Sequence, residues 1–513
     1  MKLSTNLRNG ILGLSSLGLC AGITSCAKQA EQKVERPNFV FVLIDDMGWT
    51  DLGCFGSSFY ETPNIDKLAS EGVKFTNAYA ACPVCSPTRA SIMSGKYPAR
   101  IDVTDWIPGR QHRGARDYEK MIQKPFKLEM GLEEVTVAEA LKEEGYKTCF
   151  IGKWHIGESE EYWPHHQGFD VNIAGWSKGS PQRNKNANGY FSPYGNPMIE
   201  DGPKGEYLTD RLTDEAIKYI EGHKDNPFFV YLSYYTVHNP LMGKKELIEK
   251  FKKKAEDQGL DKKEHYTRDK AWIKEKPKKS NYKERLFQDQ PTYSSMIYSL
   301  DENIGKLTAK LKELGLDKNT VIFFMSDNGG LSTSEGSPTC NDPLRGGKGW
   351  LYEGGVREPM FVKWPGVAKA GTEIDVPVTS TDFYPTILEM AGAPLKQDQH
   401  VDGKSFAGLL KGEQANGERP LYWHYPHYSN QGTTPGAAIR LGDYKLIEYF
   451  EDNHVELYNL KDDVGETKDL AADMPEKTNE LKQMLHQWQK EVGAKFPDPN
   501  PDYDPSVVAN SWK

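Results

Sequence analysis

The chain of 513 residues lacks an excess of positive charge, an internal repeat and a dense set of cysteines. Its 64 lysines and arginines are outnumbered by 73 acidic residues, and the net charge of -9 argues against a nucleic-acid partner. Seven cysteines permit disulfide bonds in an exported protein without demanding them. Hydrophobic residues make up 37% of the chain, which is ample for a large core, and the length predicts more than one structural unit.

The apolar stretch near the amino terminus is too short to span a membrane. It follows basic residues and leads to Ile23-Thr-Ser-Cys26, which resembles a bacterial lipobox whose cysteine is lipidated and becomes the mature terminus. We therefore expect a signal peptide at residues 1–25, a polar tether at residues 26–36 and lipidation of Cys26. The protein would be an exported bacterial lipoprotein, periplasmic or attached to the outer membrane. An ordinary cleaved signal peptide is the alternative.

Two short apolar runs, residues 38–44 and residues 320–326, end in polar side chains. Such runs are typical of strands that are buried on both faces of a parallel sheet. Ligands of open α/β sheets bind beyond the carboxyl ends of the strands. The residues that follow the two runs are Asp45, Asp46, Asp327 and Asn328.

These four side chains predict a cation site. An Asx turn would explain a single aspartate at a strand end, but two adjacent carboxylates are unfavourable unless a cation neutralises them. Three carboxylates and one amide oxygen suit a hard divalent cation, Ca²⁺ more readily than Zn²⁺.

Residues 82–97 read CPVCSPTRASIMSGKY. Cys82 and Cys85 form a C-x-x-C, which could be a redox pair or half of a zinc site, but no second ligand pair and no thioredoxin-type unit is evident. The segment Cys85-Ser-Pro-Thr-Arg89, followed by Ser-Gly-Lys, resembles the signature of the type I sulfatases. In that family the cysteine is oxidised to formylglycine (3-oxoalanine), and the hydrate of this aldehyde is the nucleophile.

Further segments resemble the family in the same order along the chain. They are Gly152-Lys153-Trp-His155-Ile-Gly157, the strand-end His238-Asn-Pro240, and the loop Arg345-Gly-Gly-Lys348 that continues to Glu353-Gly-Gly-Val-Arg357. The resemblance implies that Asp45, Asp46, Asp327 and Asn328 bind one cation together with the oxidised Cys85, with Ca²⁺ preferred to Mg²⁺.

The resemblance also assigns roles in catalysis. Arg89 would orient the hydrate, His155 would act as the base, and Lys153, His238 and Lys348 would bind the sulfate. His238 or Lys348 would protonate the departing alcohol, which leaves two alternatives open. A further family contact with the sulfate, a serine, is matched by Ser177.

The fold expected from this resemblance is an α/β, alkaline-phosphatase-like mixed sheet sandwiched by helices at residues 37–395. Strand-like and helix-like runs alternate over this range, as in α/β proteins. The remainder, residues 396–513, has the alternating pattern of a small antiparallel sheet and ends in a helical pattern. We therefore expect a smaller C-terminal α+β subdomain.

The expected substrate is a sulfate ester of a carbohydrate, and galactose or N-acetylgalactosamine sulfate is favoured. Candidate sugar contacts lie in two clusters of polar and aromatic residues and include Asp105, Arg110, His424 and His427, for which packing is the alternative. The partners would be a formylglycine-generating enzyme or an anaerobic sulfatase-maturing enzyme, and the membrane through the lipid anchor.

Two other functions stay open. A phosphatase or phosphonate monoester hydrolase of the same superfamily is one, although Asn328 stands where two-zinc phosphatases carry histidine. A glycan-binding lipoprotein without catalysis is the other.

Overall fold

A computed structural model describes residues 36–111, 114–270, 282–415 and 417–507. The predicted signal peptide, nearly all of the tether and the predicted lipidation site at Cys26 lie outside these ranges. Within them, no helix combines the length and the apolar character needed to cross a bilayer.

An eight-stranded mixed sheet forms the centre of the protein. Its strands are β1 (Asn38–Ile44), β2 (Val73–Phe75), β3 (Lys147–Gly152), β4 (Val171–Ile173), β5 (Phe228–Ser233), β6 (Thr320–Ser326), β7 (Met360–Lys363) and β8 (Thr372–Ile374). Their order across the sheet is β8-β2-β7-β6-β1-β5-β3-β4. Strand β1 is parallel to both β6 and β5, whereas β7 runs antiparallel to its neighbours β6 and β2.

Helices cover both faces of this sheet. The helices of the described residues, in chain order, are α1 (Pro63–Ser70), α2 (Cys85–Ser94), α3 (Pro98–Ile101), α4 (Val137–Glu143), α5 (Leu208–His223), α6 (Lys245–Asp257), α7 (Pro291–Glu313), α8 (Glu353–Val356), α9 (Phe383–Ala391), α10 (Ala407–Leu410) and α11 (Pro475–Glu491), of which α11 packs on the second sheet described below. Short 3₁₀ turns lie at Gly53–Phe55, Glu160–Tyr162, Pro164–His166, Leu260–Lys262 and Ser380–Asp382.

Strand β1 shows why the sheet needs helices on both sides. All seven of its residues are buried. Because successive side chains of a strand point to opposite faces, Val40 and Val42 join the core formed with α1, α5 and α7, whereas Phe39 and Phe41 join the core formed with α2, α4 and α9. The prediction of a doubly covered α/β sheet is confirmed.

A second, antiparallel sheet lies in the C-terminal region. It has the order β9 (Leu421–Tyr425), β10 (Gly436–Leu441), β11 (Tyr444–Tyr449), β12 (Val455–Asn459). Leu446 and Leu457 of this sheet pack with Leu481, Leu485 and Trp488 of α11. The expected antiparallel sheet with a terminal helix is therefore present, and the boundary at residue 396 stays a prediction. Two-residue strands complete the fold at Ala78–Tyr79, Met121–Ile122, Arg183–Asn184, Ala187–Asn188, Tyr266–Thr267, Glu284–Arg285, Val378–Thr379 and Asp498–Pro499.

A buried ionic cluster links the C-terminal sheet to the segment that contains Lys348. The ammonium group of Lys445 on β11 is fully buried and lies 2.8 Å from Glu353 Oε1 and 3.0 Å from Glu466 Oε1. The Tyr79 hydroxyl donates a hydrogen bond of 2.7 Å to Glu353 Oε2. Glu353 begins α8, only five residues after Lys348, so this cluster anchors one end of that segment.

Replacing Lys445 should destabilise the whole protein. Lys445→Met removes a buried cation from between two buried carboxylates, and breaking a buried pair in this way typically lowers the free energy of unfolding by about 3–5 kcal/mol. Urea unfolding followed by tryptophan fluorescence measures the change. The control is Lys477→Met, because Lys477 pairs with the largely exposed Glu480 and its loss should change the midpoint much less. Equal midpoints for the two variants would show that the cluster does not hold the fold together.

Candidate active site

Four buried polar side chains meet where β1 and β6 end. The pairing of Ile44 with Ser326 brings the ends of these two strands side by side. The backbone N–H of Asp46 donates to Asp327 Oδ1 at 3.2 Å, and Asn328 Nδ2 donates to Asp46 Oδ1 at 2.8 Å. The structure thus brings together all four residues for which the sequence predicts cation binding, Asp45 included.

Each of the three carboxylates has a cationic partner. Lys153 Nζ lies 2.7 Å from Asp45 Oδ2, and Lys348 Nζ lies 2.8 Å from Asp46 Oδ2. Arg89 donates to Asp327 Oδ2 through Nε at 2.8 Å, and its Nη2 lies 2.7 Å from the same oxygen. Lys153 and the two aspartates that follow β1 are almost completely buried, so these contacts are shielded from solvent and strong.

Two side-chain oxygens of this cluster are not used in hydrogen bonds to the described residues and fit a divalent cation. Asp45 Oδ1 and Asn328 Oδ1 are buried and have no hydrogen-bond partner among the described residues. Burial raises the pKa of Asp45 well above its usual value, Lys153 opposes this, and the charges of Asp327 and Asp46 raise it further. A hard cation would satisfy the orphaned oxygens and remove the repulsion between the carboxylates. The donor set therefore suits the cation that the sequence predicts.

His238 reaches the same place from the end of β5. Because a carbonyl can only accept, Nδ1 donates to the carbonyl of Asn239 at 2.8 Å, and Nε2 is left with its lone pair 3.7 Å from Asp46 Oδ2. Burial and the nearby Lys348 lower the pKa of His238 to about 3, so the ring is neutral. Ligand atoms of His238, Asp45 and Asp46 lie within 4.8 Å of one another. The ring is therefore a further candidate metal ligand.

Cys85 faces His155 across the site. Cys85 is the first residue of α2, and its Sγ lies 3.3 Å from His155 Nδ1. His155 Nε2 contacts the carbonyl of Ile107 and must carry the hydrogen, so the lone pair of Nδ1 points at residue 85. Burial and the charge of Lys153 lower the pKa of His155 well below its usual value. A neutral imidazole in this tautomer can accept a proton from a group at residue 85.

The encoded thiol is poorly suited to act as a nucleophile by itself. Burial raises the pKa of the Cys85 thiol, although Lys153 and Lys348 act in the opposite direction. A thiol needs to ionise in order to attack. Cys82 and Cys85 are both free among the described cysteines, so they form no disulfide.

Arg89 lies one helical turn after Cys85, but its hydrogen bonds go elsewhere. Besides Asp327, its Nη1 donates to the carbonyl of Lys153 at 2.7 Å and to Ser233 Oγ at 2.6 Å. The guanidinium therefore holds Asp327, the end of β5 and the segment after β3 in fixed positions. In this arrangement it positions the residues around Cys85, whereas the sequence predicts that it orients the nucleophile.

Asp105 and Arg110 belong to the segment that supplies the Ile107 carbonyl. Asp105 Oδ1 accepts hydrogen bonds from the Tyr425 hydroxyl at 2.9 Å and from the Trp106 N–H at 2.9 Å. Arg110 forms a buried ion pair of 2.5 Å with Glu119. The segment thus lines the site next to His155, while these two side chains bond to the protein.

The two histidines of the C-terminal sheet region are packed into the protein. His427 bonds to Thr104 Oγ1 at 2.9 Å and to Gln123 Oε1 at 3.1 Å. His424 bonds to the Lys495 carbonyl at 2.8 Å and to Gln489 Nε2 at 3.2 Å. Since both nitrogens of each buried ring are engaged, the structure favours the packing alternative for these residues.

Ser177 lies in the loop that runs beside His155. The neighbouring Trp176 carbonyl accepts a hydrogen bond of 3.2 Å from the His155 N–H. The Ser177 side chain is half-buried, and its hydroxyl makes no hydrogen bond to the described residues. The structure places it near the site without a contact to the predicted cluster.

Two residues of the site were missed by the sequence analysis. Ser233 ends β5 as Asp45 follows β1, so the strand-end pattern could have found it. Gly179 supports the His155 ring so closely that a Cβ at this position would lie 2.2 Å from His155 Cε1. No local pattern marks that glycine, because the contact depends on how the loop folds back.

Adding a methyl group at Gly179 should displace His155. In Gly179→Ala the new carbon overlaps the imidazole, so the ring has to leave the position in which Nδ1 faces residue 85. We expect kcat for an aryl sulfate to fall by about 10²-fold or more, as for loss of a general base. The control is Gly222→Ala, where a Cβ would meet nothing within 4 Å. Unchanged turnover in both variants would argue against His155 as the base.

Comparisons with known proteins identify the family of this chain. A family model described as Sulfatase matches residues 37–393, and one described as N-sulphoglucosamine sulphohydrolase, C-terminal, matches residues 347–493. A sulfatase of Formosa agariphila is 32% identical over 87% of this chain and 86% of its own length. The N-acetylgalactosamine-6-sulfatase of Mus musculus is 30% identical over 85% of this chain and 74% of its own length. The crystal structure of Ps i-CgsB has a TM-score of 0.70 at 29% identity and covers 88% of this chain and 93% of that one. The chain therefore belongs to the sulfatase family and is a sulfuric ester hydrolase.

Proposed function

We propose that the protein hydrolyses O-sulfate monoesters of carbohydrates and that residue 85, oxidised to formylglycine, carries the reaction. The observation that supports this most is the convergence on Cys85 of the His155 lone pair, two lysines and a set of orphaned oxygens. A sulfate ester brings negative charge into the site, and fixed cations in a buried setting stabilise that charge.

The residues of the chain divide the work between them. When present, the aldehyde hydrate would supply the nucleophilic oxygen, and a divalent cation, Ca²⁺ in preference to Mg²⁺, would withdraw charge from the sulfuryl group. Asp45, Asp46, Asp327 and Asn328 would hold that cation. His155 accepts a proton from residue 85 at Nδ1, which lies 3.3 Å from the Sγ of the encoded cysteine.

Substrate binding uses the cations around the cluster. Lys153 and Lys348 attract the sulfate and keep it at the end of the sheet, and Arg89 fixes the position of Asp327 and of the Lys153 backbone. Of the two groups considered for protonating the departing alcohol, His238 and Lys348, we favour Lys348, because the neutral His238 ring presents a lone pair to the site.

A carbohydrate substrate is supported by the named relatives. One is an N-acetylgalactosamine-6-sulfatase, and the crystal structure of Ps i-CgsB was also solved in complex with k-i-k-neocarrahexaose, at a TM-score of 0.69 and 29% identity. We therefore favour a sulfate ester of galactose or N-acetylgalactosamine as the substrate.

The amino-terminal pattern and the motif at residue 85 complete the proposal. The lipobox-like Ile23-Thr-Ser-Cys26 supports an exported lipoprotein attached to the membrane. The C-x-P-x-R motif supports oxidation by a formylglycine-generating enzyme or by an anaerobic sulfatase-maturing enzyme.

Mass spectrometry and matched substrates test the nucleophile and the leaving group together. The tryptic peptide of residues 75–89 should lack one of its two sulfur atoms, and the protein should turn over an aryl sulfate in preference to the matched aryl phosphate. Cys85→Ala should abolish turnover, while Cys82→Ala should keep it. A peptide with both sulfurs in an inactive protein would support the non-catalytic alternative, and a preference for phosphate would support the phosphatase.

Metal removal tests the cation site. The apo-protein obtained with a chelator should lose activity and unfold at a lower temperature, because a ligand at 100 times its Kd stabilises the folded state by about 2.7 kcal/mol. Added Ca²⁺ should restore both properties, and in Asp45→Asn it should raise the melting temperature less. A melting temperature that does not respond to the chelator or to Ca²⁺ would contradict the predicted site.

A further inference from the structure

Glu335 lies at the exposed edge of the site. Its backbone carbonyl accepts a hydrogen bond of 3.1 Å from Asn239 Nδ2, and Asn239 directly follows His238. The protein atoms packed around the carboxylate raise the pKa of Glu335, Lys348 opposes this, and Asp46 makes a smaller contribution in the upward direction. Its side chain still reaches solvent, so it stands between the cation-rich site and an incoming substrate.

The backbone around Glu335 is held in an unusual conformation. Glu335 has φ of 51° and Ser337 has φ of 40°, on either side of Gly336 with φ of 93°. Residues other than glycine rarely adopt these values, and such strain persists only where the surroundings impose it. Here Thr333 Oγ1 donates to the Gln431 carbonyl at 3.0 Å, and the Ser337 N–H donates to the Ser334 carbonyl at 2.7 Å.

One oxygen of the Glu335 carboxylate is fixed by the C-terminal region. Gln431 is buried, its Nε2 donates to Glu335 Oε1 at 2.7 Å, and its own Oε1 accepts from Ser429 Oγ at 2.5 Å. A carboxylate only accepts, so the amide NH₂ must face Glu335. Hydrogen bonding by the Asn239 side chain also acts on this carboxyl and lowers its pKa. Each carboxylate oxygen has two lone pairs, so Oε2 can still accept a hydrogen bond from the solvent side.

The same glutamine lies against the loop that contains Lys348. A Cβ on Gly349 would lie 2.1 Å from Ser429 Oγ and 2.6 Å from Gln431 Oε1. The anchor of Glu335 and the loop that presents Lys348 are therefore packed directly on each other. Glu335 Oε2 is held in place relative to the sulfate-binding lysine.

We propose that Glu335 is a specificity-determining residue that reads the substituent next to the sulfate on the sugar. Its Oε2 accepts a hydrogen bond from a neutral donor, a hydroxyl or an amide N–H, and its negative charge disfavours a second sulfate or a carboxylate there. This inference rests on the proposed function. A carboxylate next to Lys348 weakens the general attraction of the site for anions. It also makes the site discriminate between anionic substrates that differ in the substituent beside the sulfate.

The test compares two sulfated sugars in Glu335→Gln. The substrates are the monosulfated galactose or N-acetylgalactosamine that the wild type hydrolyses fastest, the disulfated form of the same sugar, and 4-nitrophenyl sulfate. The substitution keeps the size of the side chain and an acceptor for Gln431. We expect the ratio of kcat/KM for the disulfated to the monosulfated sugar to rise by roughly three- to tenfold, mostly through KM, because one rim charge is lost.

Controls separate selectivity from general damage. For 4-nitrophenyl sulfate, which has no neighbouring substituent to discriminate, kcat/KM in Glu335→Gln should rise less than kcat/KM for the disulfated sugar, because only the general attraction for anions changes. Gln431→Ala should shift the ratio in the same direction but less, since it frees the carboxylate without removing it. Glu313→Gln at the end of α7, where the exposed Glu313 pairs with Lys310, should not shift it.

The outcomes distinguish this inference from the proposed function. An unchanged ratio with normal hydrolysis of 4-nitrophenyl sulfate overturns the role of Glu335 alone. A wild-type protein that hydrolyses 4-nitrophenyl sulfate but no sulfated sugar overturns both the carbohydrate substrate and this inference. Failure to hydrolyse any sulfate ester overturns the proposed function as a whole.

Discussion

The structure depends on keeping three buried carboxylates together at the end of one sheet. Asp45, Asp46 and Asp327 are buried where β1 and β6 finish, and in a low-dielectric interior their mutual repulsion would be large. Lys153, Lys348 and Arg89 each meet one of them within 3 Å. The same cations are the groups that can attract a sulfate, so the interactions that make the cluster tolerable also prepare the binding site.

This constraint explains how distant segments contribute to one site. Arg89 ties Asp327 to the segment after β3 and to Ser233 at the end of β5. The loop with Lys348 is held from the other side by the buried Lys445 and Glu353 pair. The C-terminal sheet therefore has a part in the geometry of the site, although His155 and the four residues of the acidic cluster lie outside it.

The central parts of this arrangement could be predicted from the sequence because they follow strong local patterns. The apolar runs that form β1 and β6 mark where the strands end, and the acids that follow them must then meet at one edge. His424 and His427 illustrate the opposite case. Their polar and aromatic setting suggested sugar contacts, but whether a ring nitrogen faces solvent or a neighbouring carbonyl depends on tertiary packing.

The loop residues near the site could not be predicted for a related reason. Gly179 and Glu335 lie in segments without periodicity, and their positions follow from contacts with residues far away in the chain, such as Gln431. The fold class and the cluster of acids at the sheet edge are therefore accessible from sequence, whereas Gly179 against the His155 ring and Glu335 against Gln431 become visible only in three dimensions.

A crystal structure of the matured protein with Ca²⁺ and sulfate would test the central claim most directly. The account predicts one cation bound by oxygens of Asp45, Asp46, Asp327 and Asn328, in contact with the oxidised side chain of residue 85, and sulfate between Lys153 and Lys348. A cation bound elsewhere, or a side chain at residue 85 that points away from these four donors, would contradict it.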